Sequence, residues 1–174
     1  MRGPASTHFR TGCDGGWRAA SALRDARPAE LGGWVAVGVP PRHRTSVDAI
    51  VGWARLLEEA TGSDRVLVKL PASQVGLRAV EGVVAAGHSV YVDQIFGLEQ
   101  LERTLEAHAR GLGLRHAAGG DFESVRFVAA MHLLRIDVAV DELLRDRRRE
   151  GVGEPDMVES LHGRAAIALG KLAW

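Results

Sequence analysis

A chain of 174 residues, 46% hydrophobic and with 22 basic side chains against 22 acidic ones, is long enough to form one domain with a sizeable core. That charge balance speaks against a nucleic-acid or membrane-surface protein held by charge. The single cysteine, Cys13, excludes an internal disulfide and a cysteine zinc cluster. No apolar run approaches the roughly 18 residues of a membrane span, and MRGPASTHFRTGCDGG lacks the apolar middle of a signal peptide. The expected setting is a reducing cytoplasm.

Residues 1–31 are expected to form an N-terminal arm, without period at first and weakly helical from Trp17, with Pro28 as a break. The domain proper is expected over 32–174. WVAVGV (34–39), bounded by Gly32-Gly33 and Pro40-Pro41, suits a buried strand. In SVDAIVGWARLLEEATG (46–62), Ser46 can cap a helix with Val47, Ile50, Val51, Ala54 and Leu57 on one face, and Gly62 can close it. RVLVKL (65–70) is the second strand. Ser73 caps the next helix, whose apolar face is Leu77, Val80, Val83 and Val84 and whose close is Gly87.

SVYVDQIF (89–96) is the third strand and LEQLERTLEAHARGL (98–112) the helix after it. Beyond a turn at Gly119, Gly120 and Asp121, FVAAMHLL (127–134) reads as a fourth strand, although its pattern also allows the start of a helix. VAVDELLRDRRRE (138–150) and MVESLHGRAAIALGKLAW (157–174) read as helices. Strands alternating with helices of this length mean crossovers and a parallel sheet. The fold class is α/β, either a small open sheet or part of a (β/α) barrel.

Ordered motifs carry a resemblance. VLVKLPASQVGLRAVEGVVAAGHSVYV resembles the transaldolase segment in which a strand bearing the Schiff-base lysine runs into a Lys-Leu-Pro-Ala-Ser/Thr turn. Before it, GGWVAVGVPPR resembles the family's preceding strand. After it, AGGDFESVRFVAAMHLLRIDVAVDELL and GRAAIALGKLAW resemble later family segments in the same order. Transaldolases are class I aldolases on a (β/α)8 barrel, so the resemblance implies a partial TIM-type barrel of about four parallel strands. A complete barrel takes roughly 200–250 residues.

The resemblance implies that Lys69 is the imine-forming position. An imine needs a neutral amine, and burial in an apolar strand is expected to lower the lysine's pKa. The alternative from the residues alone is a lysine snorkelling from a strand end. Other family positions are substituted: Gly38 stands where the family has a glutamate, Tyr91 at an asparagine, Asp93 at a threonine and Ala130 at a serine. Losing a general acid or base costs about 10²–10⁴ in rate, so ordinary transaldol transfer is not expected unless other groups replace them.

Tyr91 and Asp93 share one strand face and are candidate replacements, as is His132, where small transaldolase-like aldolases carry a tyrosine. The competing account is drift after catalysis was lost. Arg135 and Ser73 are candidate substrate contacts, Arg135 at a family phosphate position. His108 and His116 are expected to flank a loop as surface residues, and His43 to be solvated. No metal or cofactor is expected. RDRRRE (145–150) fits the exposed end of a helix.

The expected function is therefore Schiff-base aldol chemistry on a small carbonyl compound or sugar phosphate, or else a non-catalytic binding or assembly subunit. An incomplete barrel would expose part of VAV (35–37), VLV (66–68) and VYV (90–92). A homodimer covering the open face, or a second chain, is the expected partner.

Overall fold

The computed structural model describes residues 34–44, 46–61 and 65–174. The N-terminal arm expected over 1–31 lies outside the described residues. Four parallel strands form one sheet in chain order: β1 (Val35–Gly38), β2 (Val66–Pro71), β3 (Val90–Ile95) and β4 (Phe127–Met131). Between them run α1 (Val47–Thr61), α2 (Gln74–Ala85) and α3 (Leu98–Ala117), and α4 (Leu133–Arg149), α5 (Pro155–Ser160) and α6 (Ala165–Ala173) follow. This is the expected α/β partial barrel.

Alternation along each strand divides the sheet into two faces. Val66, Val68 and Leu70 of β2 and Val90, Val92 and Ile95 of β3 are buried against the helices. They meet Ile50, Trp53 and Leu57 of α1, and Leu77, Val80, Val83 and Val84 of α2. The opposite face carries Gly38, Lys69, Tyr91 and Val128, which the parallel register sets in one row across all four strands. Of the runs expected to show in part on the inner face, the middle residues Ala36, Leu67 and Tyr91 alternate with this buried set. Val37, Val66, Val68, Val90 and Val92 pack on the helix side, and only the alternate residues look inward.

Local chemistry explains the helix ends. The Ala49 N–H donates to Ser46 Oγ at 3.2 Å, and the Gly76 N–H donates to Ser73 Oγ at 3.2 Å, so both serines cap as expected. Gly87, at φ +93°, follows α2 in a conformation that suits glycine. Helices α2 and α3 approach closely at Gly111, where a Cβ would lie 2.7 Å from Val84 Cβ.

Three boundaries differ from expectation. Helix α3 continues to Ala117, which puts both His108 and His116 on one helix instead of beside a loop. Strand β4 stops at Met131 and α4 begins at Leu133, five residues before the expected start. The single helix expected over 157–174 is two, α5 and α6. Gly163 turns between them at φ +69°. Two carboxylates one turn apart on α4 hold that break: Asp141 Oδ1 accepts from the Gly163 N–H and Asp137 Oδ1 from the Ala166 N–H, both at 3.0 Å.

Candidate active site

The site is built where the strands end. Lys69 lies two residues before the end of β2 and Asp93 two before the end of β3. The C-terminal rim of a parallel barrel sheet is where such folds gather their chemistry. Register pairs Lys69 with Tyr91 and Pro71 with Asp93, so Lys69 meets Asp93 on the diagonal. Lys69 Nζ lies 2.8 Å from Asp93 Oδ2 and 5.7 Å from the centre of the Tyr91 ring. Lysine, carboxylate and phenol are together, as their shared strand face predicts.

The electrostatics run against expectation. The lysine side chain is 43% exposed while that of Asp93 is 13% exposed. The hydrogen bond to Asp93 raises the Lys69 pKa above its ordinary value, and the smaller cost of burial opposes it without reversing it. Burial alone does not set this amine; its partner does. The apolar strand therefore does not yield a neutral lysine, and the amine must lose a proton before it can attack a carbonyl.

Loops fix the rim. The Ala72 N–H donates to the Asp93 carbonyl at 2.8 Å. Gln100, on α3, links two turns: its Nε2 donates to the Ala72 carbonyl and its Oε1 accepts from the Phe96 N–H, each at 2.9 Å. Between Val92 and Ile95 the register against β4 shifts, and Gln94 takes φ +61°, a left-handed conformation uncommon for a non-glycine residue. A cleft of about 250 Å3 opens here, lined by Gly38, Arg44, Lys69, Pro71, Asp93 and Gln94.

The remaining expected residues are not brought into that cleft. His132 follows β4, its N–H donating to the Ile95 carbonyl at 2.9 Å. Its ring stacks on Phe96 at 5.2 Å, with Nε2 buried and without a hydrogen-bond partner among the described residues. Arg135 is exposed in the first turn of α4. Ser73 caps α2. His108 is half-buried in a stack on Phe127, and burial lowers its pKa. Arg44 and Gln100 were missed. The signal for Arg44 was a basic residue just past the C-terminal end of a strand, in PPRHR.

A family model described as Transaldolase/Fructose-6-phosphate aldolase matches residues 15–172. The chain belongs to that family. Transaldolase 2 of Nostoc sp. is 33% identical over 148 residues, 83% of this chain and 39% of the relative. The transaldolase of Thiobacillus denitrificans is 35% identical over 148 residues, covering 85% and 40%. That of Parafrankia sp. is 33% identical over 176 residues, covering 100% and 44%. The chain thus spans about two fifths of the length of the curated relatives it matches. No helix among the described residues is long and apolar enough to cross a membrane, and no cluster among them could hold a metal ion. In this transaldolase-family chain the lysine and its carboxylate occupy the rim of a four-stranded sheet.

Proposed function

We propose that this chain carries Schiff-base aldol chemistry at Lys69, acting on a small carbonyl compound or sugar phosphate. The observation that carries the reading is the Lys69–Asp93 pair, 2.8 Å apart at the strand ends of a transaldolase-family sheet. Asp93 accepts a proton from the Lys69 ammonium, the neutral amine adds to the carbonyl carbon, and a nitrogen proton passes to the new alkoxide to give the carbinolamine. The carboxylic acid so formed protonates the departing hydroxyl of the carbinolamine, water leaves, and an iminium and the Asp93 carboxylate remain. The same carboxylate then takes the hydroxyl proton that releases an aldehyde in retro-aldol cleavage.

Transfer of a three-carbon unit ranks behind simple aldol or retro-aldol reaction. Gly38 has no carboxylate to offer, and Tyr91, beside the Lys69 ammonium, is the further group at hand for proton movement, whereas His132, expected in that role, is stacked on Phe96 outside the cleft. The setting is taken to be cytoplasmic. A second copy of the chain is proposed to cover the open inner face.

The second reading is a non-catalytic binding or assembly subunit, favoured by the raised Lys69 pKa. Borohydride trapping with ketose phosphates, dihydroxyacetone and simple aldehydes, read by peptide mass spectrometry, separates the two. A reduced adduct on Lys69 is the expected result. A folded sample that gives no adduct with any of them would leave the subunit reading in its place.

A further inference from the structure

The cleft beside Lys69 contains an odd charge. Lys69 and Asp93 neutralise one another at 2.8 Å, and among the described residues the only other charged side chain lining the cleft is Arg44. Arg44 Nε donates to the Val39 carbonyl at 2.7 Å. That bond fixes the guanidinium to the main chain just beyond β1 and leaves its terminal nitrogens as donors. Among the described residues no carboxylate pairs with it. Gln94, held in its left-handed conformation, lines the same cleft. Across from the lysine, Gly38 contributes no side chain, and a Cβ built there would meet nothing within 4 Å.

The cleft therefore has space, one amine paired with its own carboxylate, and one anchored guanidinium without a counter-charge among the described residues. At about 250 Å3 it is smaller than the roughly 300–1,000 Å3 of pockets that take drug-sized ligands, so its occupant has few carbons. We propose that Arg44 is an anion-binding residue, and that the cleft takes a short carbonyl compound whose carboxylate or phosphate lies on Arg44 while its carbonyl faces Lys69. A planar guanidinium suits either anion, because both accept two parallel N–H bonds. The site is separate from Arg135, which stands beyond β4 in α4 and does not line this cleft. The proposal rests on the reading of Lys69 as the reacting amine, and its test is arranged so that the two can fail separately.

Reductive trapping on Lys69 is titrated with pyruvate, dihydroxyacetone phosphate and uncharged dihydroxyacetone. One charge-assisted contact is expected to lower the half-saturating concentration of the matching anionic compound about tenfold or more relative to dihydroxyacetone. Preference for pyruvate identifies a carboxylate and preference for dihydroxyacetone phosphate a phosphate. Arg44→Ala should collapse that ratio and Arg44→Lys should keep part of it. Equal half-saturation of all three compounds overturns the proposal, as does a phosphate preference erased by Arg135→Ala but not by Arg44→Ala. Lys69→Arg, which keeps the charge and cannot form an imine, is titrated by NMR with acetate and inorganic phosphate. Saturable shifts that Arg44→Ala removes support the subsite even where no carbonyl is trapped, and the failure then belongs to the imine alone. Absence of such shifts overturns the subsite.

Discussion

Lys69 Nζ and Asp93 Oδ2 stand 2.8 Å apart across the β2–β3 pair, joined on the diagonal rather than in register. Diagonal neighbours on a sheet face are within reach of a long side chain, and a lysine is long enough to bridge the gap. The directly paired residue, Tyr91, instead lies under the ammonium at 5.7 Å. The ammonium is therefore set by two residues of one neighbouring strand, the Asp93 carboxylate that pairs with it and the Tyr91 ring beneath it.

Asp93→Asn tests which of its two actions the carboxylate performs. Its hydrogen bond is the largest cause of the raised Lys69 pKa, and burial, which lowers it, stays behind. The Lys69 pKa should fall, and acylation of Lys69 near pH 8–9 should become faster than in wild type. Trapping by a saturating carbonyl should become slower, by about 10²-fold or more, because the acid for carbinolamine dehydration is gone. Acylation and trapping that change in the same direction would refute the proton-carrier role. The sign of the stability effect also follows. A lysine whose folded pKa is raised contributes stability below its unfolded value, near 10.5, and loses it as pH rises through the folded value. Wild type should show that alkaline loss and Asp93→Asn should lack it. At lower pH the pair is partly exposed, so its removal should cost no more than about 1 kcal/mol.

Ser73→Ala separates a cap from a substrate contact. Ser73 Oγ accepts the Gly76 N–H at the start of α2. Removing it should cost about 0.5–2 kcal/mol in denaturant unfolding. The half-saturating carbonyl concentration in Lys69 trapping should stay within twofold of wild type, and a tenfold change would show that the hydroxyl also serves the ligand.

Gly111→Ala tests the α2–α3 contact. The added Cβ would lie 2.7 Å from Val84 Cβ and 2.8 Å from the Glu81 carbonyl oxygen, neither of which is a flexible side-chain end. Overpacking at such a point should destabilise by about 1–3 kcal/mol, outweighing alanine's better helix propensity. A midpoint unchanged in urea would mean that the helices separate without cost.

The inner sheet face predicts self-association. Among the described residues β1 and β4 each have one unpaired edge, and the inward row includes Val128 at 38% exposure. A two-fold axis along the barrel would set β4 of each copy beside β1 of the other and close eight parallel strands. Sedimentation should give a dimer whose dissociation Val128→Asp promotes. A monomer at all concentrations that binds no apolar dye would refute it.

Much of the fold is legible because its signals are local. Apolar runs of strand length, serines at Ser46 and Ser73, and the glycine at Gly87 each act within a few residues. The break at Gly163 is not legible, because the groups that hold it, Asp137 and Asp141, lie on another helix. For the site, a period of two puts Tyr91 and Asp93 on one face, and that much transfers from sequence to structure. The direction of the lysine's pKa does not, because it depends on which carboxylate the register brings within hydrogen-bond distance. His132 follows the same rule: its ring is set by Phe96, from the β3–α3 turn.

Gly38→Glu joins the sheet register to the charge of the cleft. Gly38 pairs with Lys69 across β1 and β2, and a side chain there would enter open space. The variant should fold with a stability within about 0.5 kcal/mol of wild type or better, since a glycine is replaced in a strand without a clash. Its carboxylate would enter the cleft that Lys69 and Arg44 line and supply the counter-charge that Arg44 lacks among the described residues. Preference for anionic over uncharged carbonyl compounds in Lys69 trapping should then fall about tenfold, by competition for the guanidinium. The family resemblance places a glutamate at this position, so the same change should speed retro-aldol turnover of an uncharged substrate if a second carboxylate is what the site lacks. Turnover that stays at the wild-type rate while the anionic preference disappears would mean that the new carboxylate occupies Arg44 and is withheld from the reacting atoms.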